Sequence, residues 1–236
     1  MNYCFCTIAI GEKYYNSAIN FAIKLNEISK HHRLVIITDI VKDNIPNTIF
    51  EVIPENETLF IGSYFNYNLK YYPIKIAQKL GFDYIIFIDS DWEINIGYSE
   101  DSIFKLFEFM YERNFDFLFE RPHLIGKGKY DGEQSFWRHK IDFYNLLDTD
   151  VYDNGHVVNE QFLVFKNTDK LSLFLNEWEN LKNISTKENL WPFAEGVEKG
   201  MSSAISKMNI NFREWEQYVR NCFLFKTIDG ITYNRF

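Results

Sequence analysis

Glycine and proline are both sparse in this chain, at 11 and 5 of 236 residues. That excludes collagen-like repeats and Gly/Pro-rich linkers. Cysteine is sparser still: Cys4, Cys6 and Cys222 are an odd number and make no disulfide framework. Cys4 and Cys6 would share one face of a strand, and we expect them to be reduced core thiols. No second cysteine pair or nearby histidine completes a metal site around them. Long apolar runs are missing too; residues 84–88 are far too few to span a bilayer. The opening Met1-Asn2-Tyr3-Cys4-Phe5-Cys6 has neither a basic segment nor a small-residue cleavage site, so the expected compartment is cytoplasmic. In that setting the sequons Asn56-Glu57-Thr58 and Asn183-Ile184-Ser185 are read as chance matches. Positive charge is also short: 25 Lys and Arg stand against 33 Asp and Glu, a net charge of −8. A protein built mainly to grip nucleic-acid phosphates would want a basic face, so nucleic acid is a disfavoured partner, though a local basic patch stays open.

Aromatic residues, by contrast, are abundant, with 23 Phe, 15 Tyr and 5 Trp inside a 46% hydrophobic composition. Intrinsic disorder needs the opposite balance. The length suits one domain spanning residues 1–236, large enough to bury about 70–75% of its unfolded surface.

The first half alternates strand and helix. Residues 3–10 are rich in β-formers and stop at Gly11. A helix is expected from about Asn16, as its cap, with Ala18, Phe21, Ala22, Leu25 and Ile28 on its apolar stripe. Residues 33–38 read as a buried strand ended by Asp39, and residues 48–53 as a shorter one. Leu69, Pro73, Ile76, Ala77 and Leu80 mark a second amphipathic helix, stopped by Gly81. Residues 84–88 are five apolar residues running straight into Asp89-Ser90-Asp91. Apolar strands separated by helices predict a mostly parallel sheet covered on both faces. Such sheets bind ligands at the carboxyl ends of their strands, so Gly11, Asp39 and Asp89 are expected along one edge.

The second half is less regular. Helices are expected over 101–112, from Thr168 with Leu171, Phe174, Leu175, Trp178 and Leu181 on one face, and over 196–208. Strands are expected over 115–119 and 159–165. Residues 120–154 are polar and weakly periodic.

Two carboxylates flanking one residue, where a buried strand breaks into a loop, can share one hard cation. Mg²⁺ and Mn²⁺ take oxygen ligands and keep positions open for phosphate and water. Asp89 and Asp91 are therefore the candidate metal ligands. A second copy, Asp148-Thr149-Asp150, follows no apolar strand and is read as solvated loop. It also fails as an EF-hand, because Asp153 stands where that loop needs glycine. Gly126-Lys127-Gly128 lacks the strand-to-helix context of a dinucleotide fingerprint. The histidines are read as ordinary polar groups. His31 and His32 complement a helix end, while His123, His139 and His156 fall in or beside the irregular region.

The run from Phe65-Asn66-Tyr67-Asn68-Leu69-Lys70 to Phe87-Ile88-Asp89-Ser90-Asp91-Trp92 resembles the central segment of GT-A-fold nucleotide-sugar glycosyltransferases. Thr7-Ile8-Ala9-Ile10-Gly11 and Val35-Ile36-Ile37-Thr38-Asp39 resemble the first two strands of that fold. Asn159-Glu160-Gln161-Phe162-Leu163-Val164-Phe165 resembles a later strand, and Ala194-Glu195-Gly196-Val197-Glu198 the acidic helix start near its reaction centre. The resemblance implies an α/β, Rossmann-like, mostly parallel sheet flanked by helices, with an irregular acceptor-side region. Residues 1–95 would form the nucleotide-binding half and 96–236 the acceptor and donor-sugar half.

The same resemblance implies a metal-dependent hexosyl- or pentosyltransferase that uses Mn²⁺ or Mg²⁺. Its donor would be a nucleotide sugar, with UDP-sugar expected, and its acceptor a hydroxyl, with a glycan expected. Asp91 would bind the metal, Asp89 the ribose and metal, and Ser90 the nucleotide. Ala9, Gly11 and Asp39 would line the nucleoside pocket, and Lys70 would sit near the nucleotide. Glu195, Glu198 and Glu160 are the candidates for acceptor base or donor-sugar ligand. Glu195 and Glu198 share a face at a helix start, where acids are also favoured for purely structural reasons. Glu120 and Arg121 are further donor-sugar candidates. Many enzymes of this fold add a histidine ligand from the C-terminal part. No histidine follows His156 here, which leaves Asp229, Asn221 or water. Trp137, Tyr130, Tyr144 and Tyr152 are placed on the acceptor side. The different-class alternative is a non-catalytic nucleotide- or sugar-binding module; a protein or modified DNA base is an alternative acceptor.

Overall fold

Two apolar layers enclose one sheet. The computed structural model describes residues 1–61, 64–95, 97–124, 156–187, 212–214, 223–226 and 232–233. Its strands are β1 (Tyr3–Ala9), β2 (Leu34–Thr38), β3 (Thr48–Val52), β4 (Phe60–Ile61), β5 (Tyr64–Phe65) and β6 (Tyr84–Ile88). They continue with β7 (Trp92–Ile94), β8 (Phe117–Leu124), β9 (His156–Lys166), β10 (Phe212–Glu214), β11 (Phe223–Lys226) and β12 (Thr232–Tyr233). The helices are α1 (Glu12–Ile28), α2 (Tyr71–Lys79), α3 (Glu100–Glu112) and α4 (Asp169–Lys187), with a 3₁₀ turn at Tyr67–Lys70. Among the described residues the main sheet has the order β10-β8-β9-β6-β1-β2-β3. Six of these strands run one way and β9 runs against them. A smaller sheet, β12-β11-β7, adjoins the end of β6, and β4 and β5 form a short hairpin.

Every residue of β1, β2 and β6 is buried. One face of these strands presents Cys4, Cys6, Val35, Ile37, Ile85 and Phe87 to Ile74 and Ala77 of α2 and to Phe174, Leu175 and Trp178 of α4. The other presents Tyr3, Phe5, Leu34, Ile36 and Ile86 to Phe21 and Leu25 of α1 and to Leu106, Phe107 and Met110 of α3. Burial on both sides is why apolar residues run here without alternation. Cys4 and Cys6 share the first face as free thiols, and burial pushes both pKa values up.

Several boundaries differ from the sequence reading. Helix α1 begins at Glu12, with Gly11 as its N-cap, so Asn16 lies inside it. Glycine makes the sharp exit from β1 possible, and Glu12 then sits in the first turn, where an acid complements the helix dipole. Ile28 and Leu80 were expected on buried stripes, yet they are exposed. Both stand at a helix end, Ile28 as the last residue of α1 and Leu80 as the C-cap of α2, so their exposure comes from position along the helix rather than from the wrong face. Strand β8 runs to Leu124, so Glu120, Arg121 and His123 are strand residues. Register shifts between β8 and β9 on either side of Glu120 break the alternation that periodicity needs. His156 opens β9, opposite Leu124. Helix α4 starts after Thr168, whose hydroxyl has no hydrogen-bond partner among the described residues, so its carbonyl rather than its side chain bonds the first turn. The expected helix over 196–208, the second Asp-x-Asp, His139, and the aromatic residues 130, 137, 144 and 152 lie outside the described residues.

His32 is fully buried after α1, with Nδ1 3.2 Å from the Ser29 carbonyl oxygen. Burial holds its pKa below the ordinary value, and Arg33 adds to that against the pull of the Ser29 bond and Glu100. A neutral ring therefore donates to the carbonyl, in place of the charged, dipole-complementing role expected from sequence. The unfolded chain binds this proton more readily, so the His32 contribution to stability is complete above about pH 6.5 and falls as pH drops toward the folded-state pKa. Urea melts at about pH 5 and about pH 7.5 should show a smaller stability difference for His32→Gln than for the wild type. Equal differences would refute this assignment.

Candidate active site

Strand β6 ends where its apolar residues do. The next residues form a tight turn, closed by the Trp92 amide donating to the Asp89 carbonyl at 3.1 Å. The Asp89 amide donates across to the Gln161 carbonyl of β9 at 3.0 Å, so the turn is tied to the antiparallel neighbour. Trp92 is buried against Phe162, with ring centroids 5.7 Å apart, and this anchors the far side. Asp89, Ser90 and Asp91 are thereby held at the carboxyl edge of the sheet. They line a cleft of about 210 Å³ together with Ile10, Tyr14, Phe65, Tyr67, Lys70 and Gln161.

Lys70 is brought in by its own local structure. Asn66 caps the 3₁₀ turn, its side-chain oxygen accepting from the Asn68 amide at 3.3 Å. The Asn66 side-chain amide donates to the Thr58 carbonyl at 2.9 Å. Leu69 and Tyr71 are buried on either side, which leaves Lys70 aimed at the cleft. Its Nζ lies 2.7 Å from Asp89 Oδ1 and 3.0 Å from Oδ2. The ammonium also lies 5.2 Å from the Tyr67 ring centroid and 5.8 Å from that of Phe87. A lysine only 3% exposed needs such a partner, because an unpaired buried charge is very costly. Lys70 is therefore not an ordinary surface lysine.

A second set of polar contacts fixes the helices behind it. Tyr71 donates to Glu179 Oε1 at 3.0 Å and Lys75 to Oε2 at 2.6 Å, joining α2 to α4. Burial raises the Glu179 pKa, but the bonds from Lys75 and Tyr71 outweigh it and hold the carboxyl below its ordinary value. Burial, reinforced by Glu179, pushes the Tyr71 hydroxyl well up. Lys182 of α4 reaches Glu57 at 2.8 Å, next to the Thr58 carbonyl that holds Asn66.

The other expected site residues fall in different places. Gly11 and Asp39 follow the ends of β1 and β2, and the Gly11 amide donates to Asp39 Oδ1 at 2.8 Å. Neither is among the residues lining this cleft. Ala9 is fully buried beneath α1, so Ile10, the next residue, lines the cleft in its place. Glu160 lies in β9, beside Gln161; Glu195, Glu198, Asn221 and Asp229 lie outside the described residues. Gln161 was missed as a lining residue. Its only signal was the polar run Asn159-Glu160-Gln161 interrupting an apolar strand. Tyr14 was missed as well, because the helix was expected to start after it.

The donors in this cleft are hard oxygens: two carboxylates, the Ser90 hydroxyl and the Gln161 amide oxygen. That chemistry fits Mg²⁺ or Mn²⁺ and not a soft metal. Among the described residues no group of three or more His, Cys, Asp or Glu is placed to hold a metal ion. Two carboxylates suit an ion that keeps phosphate and water ligands.

No protein-family model matches the chain, and no curated protein sequence does. Solved structures do. Core-mannan synthase A from Aspergillus fumigatus, in an Mn/GDP form, matches over 94% of this chain and 74% of its own, with a TM-score of 0.51 and 10% identity. The chain has a GT-A-type fold. Mouse xyloside xylosyltransferase 1, in its apo form, matches over 92% of this chain and 86% of its own, with a TM-score of 0.49 and 11% identity. Among the described residues no helix is long and apolar enough to cross a membrane.

Gly11 has φ 83° and ψ 155°, a conformation that side chains rarely adopt. A Cβ added there would meet nothing within 4 Å, so any cost of substitution is backbone strain and not crowding. Gly11→Ala should therefore lower stability by about 1–3 kcal/mol. Asp39→Ala, which removes one exposed hydrogen bond, should cost about 1 kcal/mol or less. Denaturant melts compare them, and the reverse ranking would count against strain at this turn.

Proposed function

We propose that this chain is a metal-dependent glycosyltransferase that moves a sugar from a nucleoside-diphosphate donor to a hydroxyl acceptor, with a glycan as the acceptor class. The observation that carries this reading is the Asp89-Ser90-Asp91 turn at the carboxyl end of β6, opening into a cleft. The fold shared with a mannan synthase seen with Mn and GDP supports it. Fold alone does not imply function, so the weight rests on the residues in the cleft.

Asp91, with Asp89, would hold Mn²⁺ or Mg²⁺, which neutralises charge on the departing nucleoside diphosphate. The chain's own groups have distinct tasks. Tyr14, Phe65 and Tyr67 offer ring faces that exclude water from the donor. Ser90 and Gln161 offer hydrogen bonds that orient its hydroxyls or phosphates. Lys70 supplies fixed positive charge beside the phosphate position. Gly11 and Asp39, at the neighbouring strand ends, remain proposed for the nucleoside. Glu160, Glu195 and Glu198 remain proposed for the donor sugar or for taking the acceptor proton. UDP is the expected nucleotide from the sequence resemblance, and the GDP form of the mannan synthase makes GDP-sugars the second donor class to try.

A panel of UDP- and GDP-sugars, with Mn²⁺, Mg²⁺ or EDTA, tests the reading through release of UDP or GDP. One donor should be turned over only with metal. Asp91→Asn should lower that turnover on the order of 10²-fold, given the several kcal/mol that metal charge contributes at a leaving diphosphate. Nucleotide binding without metal-dependent turnover of any donor would point instead to a non-catalytic binding module.

A further inference from the structure

We propose that Lys70 is a resident counter-cation that makes the cleft take up a divalent ion together with a nucleoside diphosphate and disfavours the ion alone. This rests on the donor site proposed above. Among the described residues lining the cleft, the charged side chains are Lys70, Asp89 and Asp91. Lys70 engages both oxygens of Asp89, at 2.7 and 3.0 Å, so one carboxylate is already neutralised. The trio carries one net negative charge. A divalent ion added by itself leaves it net positive, whereas an ion arriving with a diphosphate does not.

Lys70 is held where that conflict arises, inside the cleft and against Asp89. Its backbone belongs to the capped 3₁₀ turn, flanked by the buried Leu69 and Tyr71, and the residue is 3% exposed. A fixed positive charge roughly 5 Å from a divalent ion weakens binding by about tenfold even at the dielectric constant of water, and by more in a sheltered cleft. The same charge attracts a diphosphate. One residue thus opposes the first ligand alone and favours the two together, which is a coupling between them.

Mn²⁺ binding, followed by the loss of the free-ion electron paramagnetic resonance signal, reads this without any turnover. Titrations are run with and without UDP or GDP. Wild type should bind Mn²⁺ weakly alone and at least about tenfold more tightly with nucleotide. Lys70→Met should bind Mn²⁺ alone about tenfold more tightly than wild type, with the nucleotide effect reduced. Lys70→Arg should behave as wild type. Lys70→Gln, which keeps a donor to Asp89 without the charge, reads the same shift where the Met variant does not fold. If neutral substitutions leave nucleotide-free Mn²⁺ affinity unchanged or weaker, while wild type with nucleotide still takes up Mn²⁺ in an Asp91-dependent way, the counter-cation role is wrong and the transferase reading stands. If no nucleotide promotes Asp91-dependent Mn²⁺ uptake by wild type, the transferase reading falls and the counter-cation role with it.

Discussion

Strand β6 is buried on both faces, and much of the candidate site's geometry follows from that constraint. Its odd and even residues pack against different helix layers, α2 and α4 on one side and α1 and α3 on the other. A strand gripped from both sides has little freedom to slip, because a one-residue shift would exchange the two faces. The residue at which its apolar run ends is therefore fixed in space. That residue is Asp89. The bond from its amide to Gln161 and the packing of Trp92 on Phe162 then fix the turn that follows. Two carboxylates sit at a rigid sheet edge and not on a loose loop, which is the placement a binding constellation needs.

The second element of the site, Lys70, is positioned by a different kind of force. Neutral hydrogen bonds from Asn66 shape the turn, and burial of Leu69 and Tyr71 sets which side chains face inward. The bonds from Tyr71 and Lys75 to Glu179 hold α2 against α4, and the Lys182–Glu57 pair holds the segment leading to the turn. Apolar packing thus fixes the acidic half of the cleft, and a polar scaffold fixes the basic half.

This division explains what was legible in the sequence. Five consecutive apolar residues ending at Asp89 were visible because two-sided burial leaves an unbroken run, and β6 matches residues 84–88. The faces of α1 and α2 were visible through helical spacing, apart from Ile28 and Leu80 at their ends, and so was that of α4 through Leu171, Phe174, Leu175 and Trp178, the Leu181 side chain lying outside what is described. Burial of Lys70 was not visible. Nothing local distinguishes a lysine paired with a residue 19 positions away from one in solvent. Tyr14 was hidden because a glycine-capped start at Glu12 lacks the usual Ser, Thr, Asp or Asn signal. The polar residues of β8 were read as irregular because its register shifts against β9. Ala9 was placed in the pocket by resemblance, but strand alternation turns it into the core beneath α1 and brings Ile10 to the cleft.

The Lys70–Asp89 pair is hard to account for as a stabilising device. Desolvating two charges can cost as much as their attraction returns, and well-packed apolar substitutes for buried pairs are often as stable or more so. The neighbours Tyr67 and Phe87 would accept an apolar side chain readily. Stability alone therefore gives no reason for a lysine here. The ion pair does make sense in a cleft meant to receive charge: it orients Asp89, and it holds positive potential in place without reorganisation. Preorganised charge of this kind costs some folding stability and returns it when the ligand binds. On that argument the most telling residue in the cleft is the cation that holds a carboxylate in place.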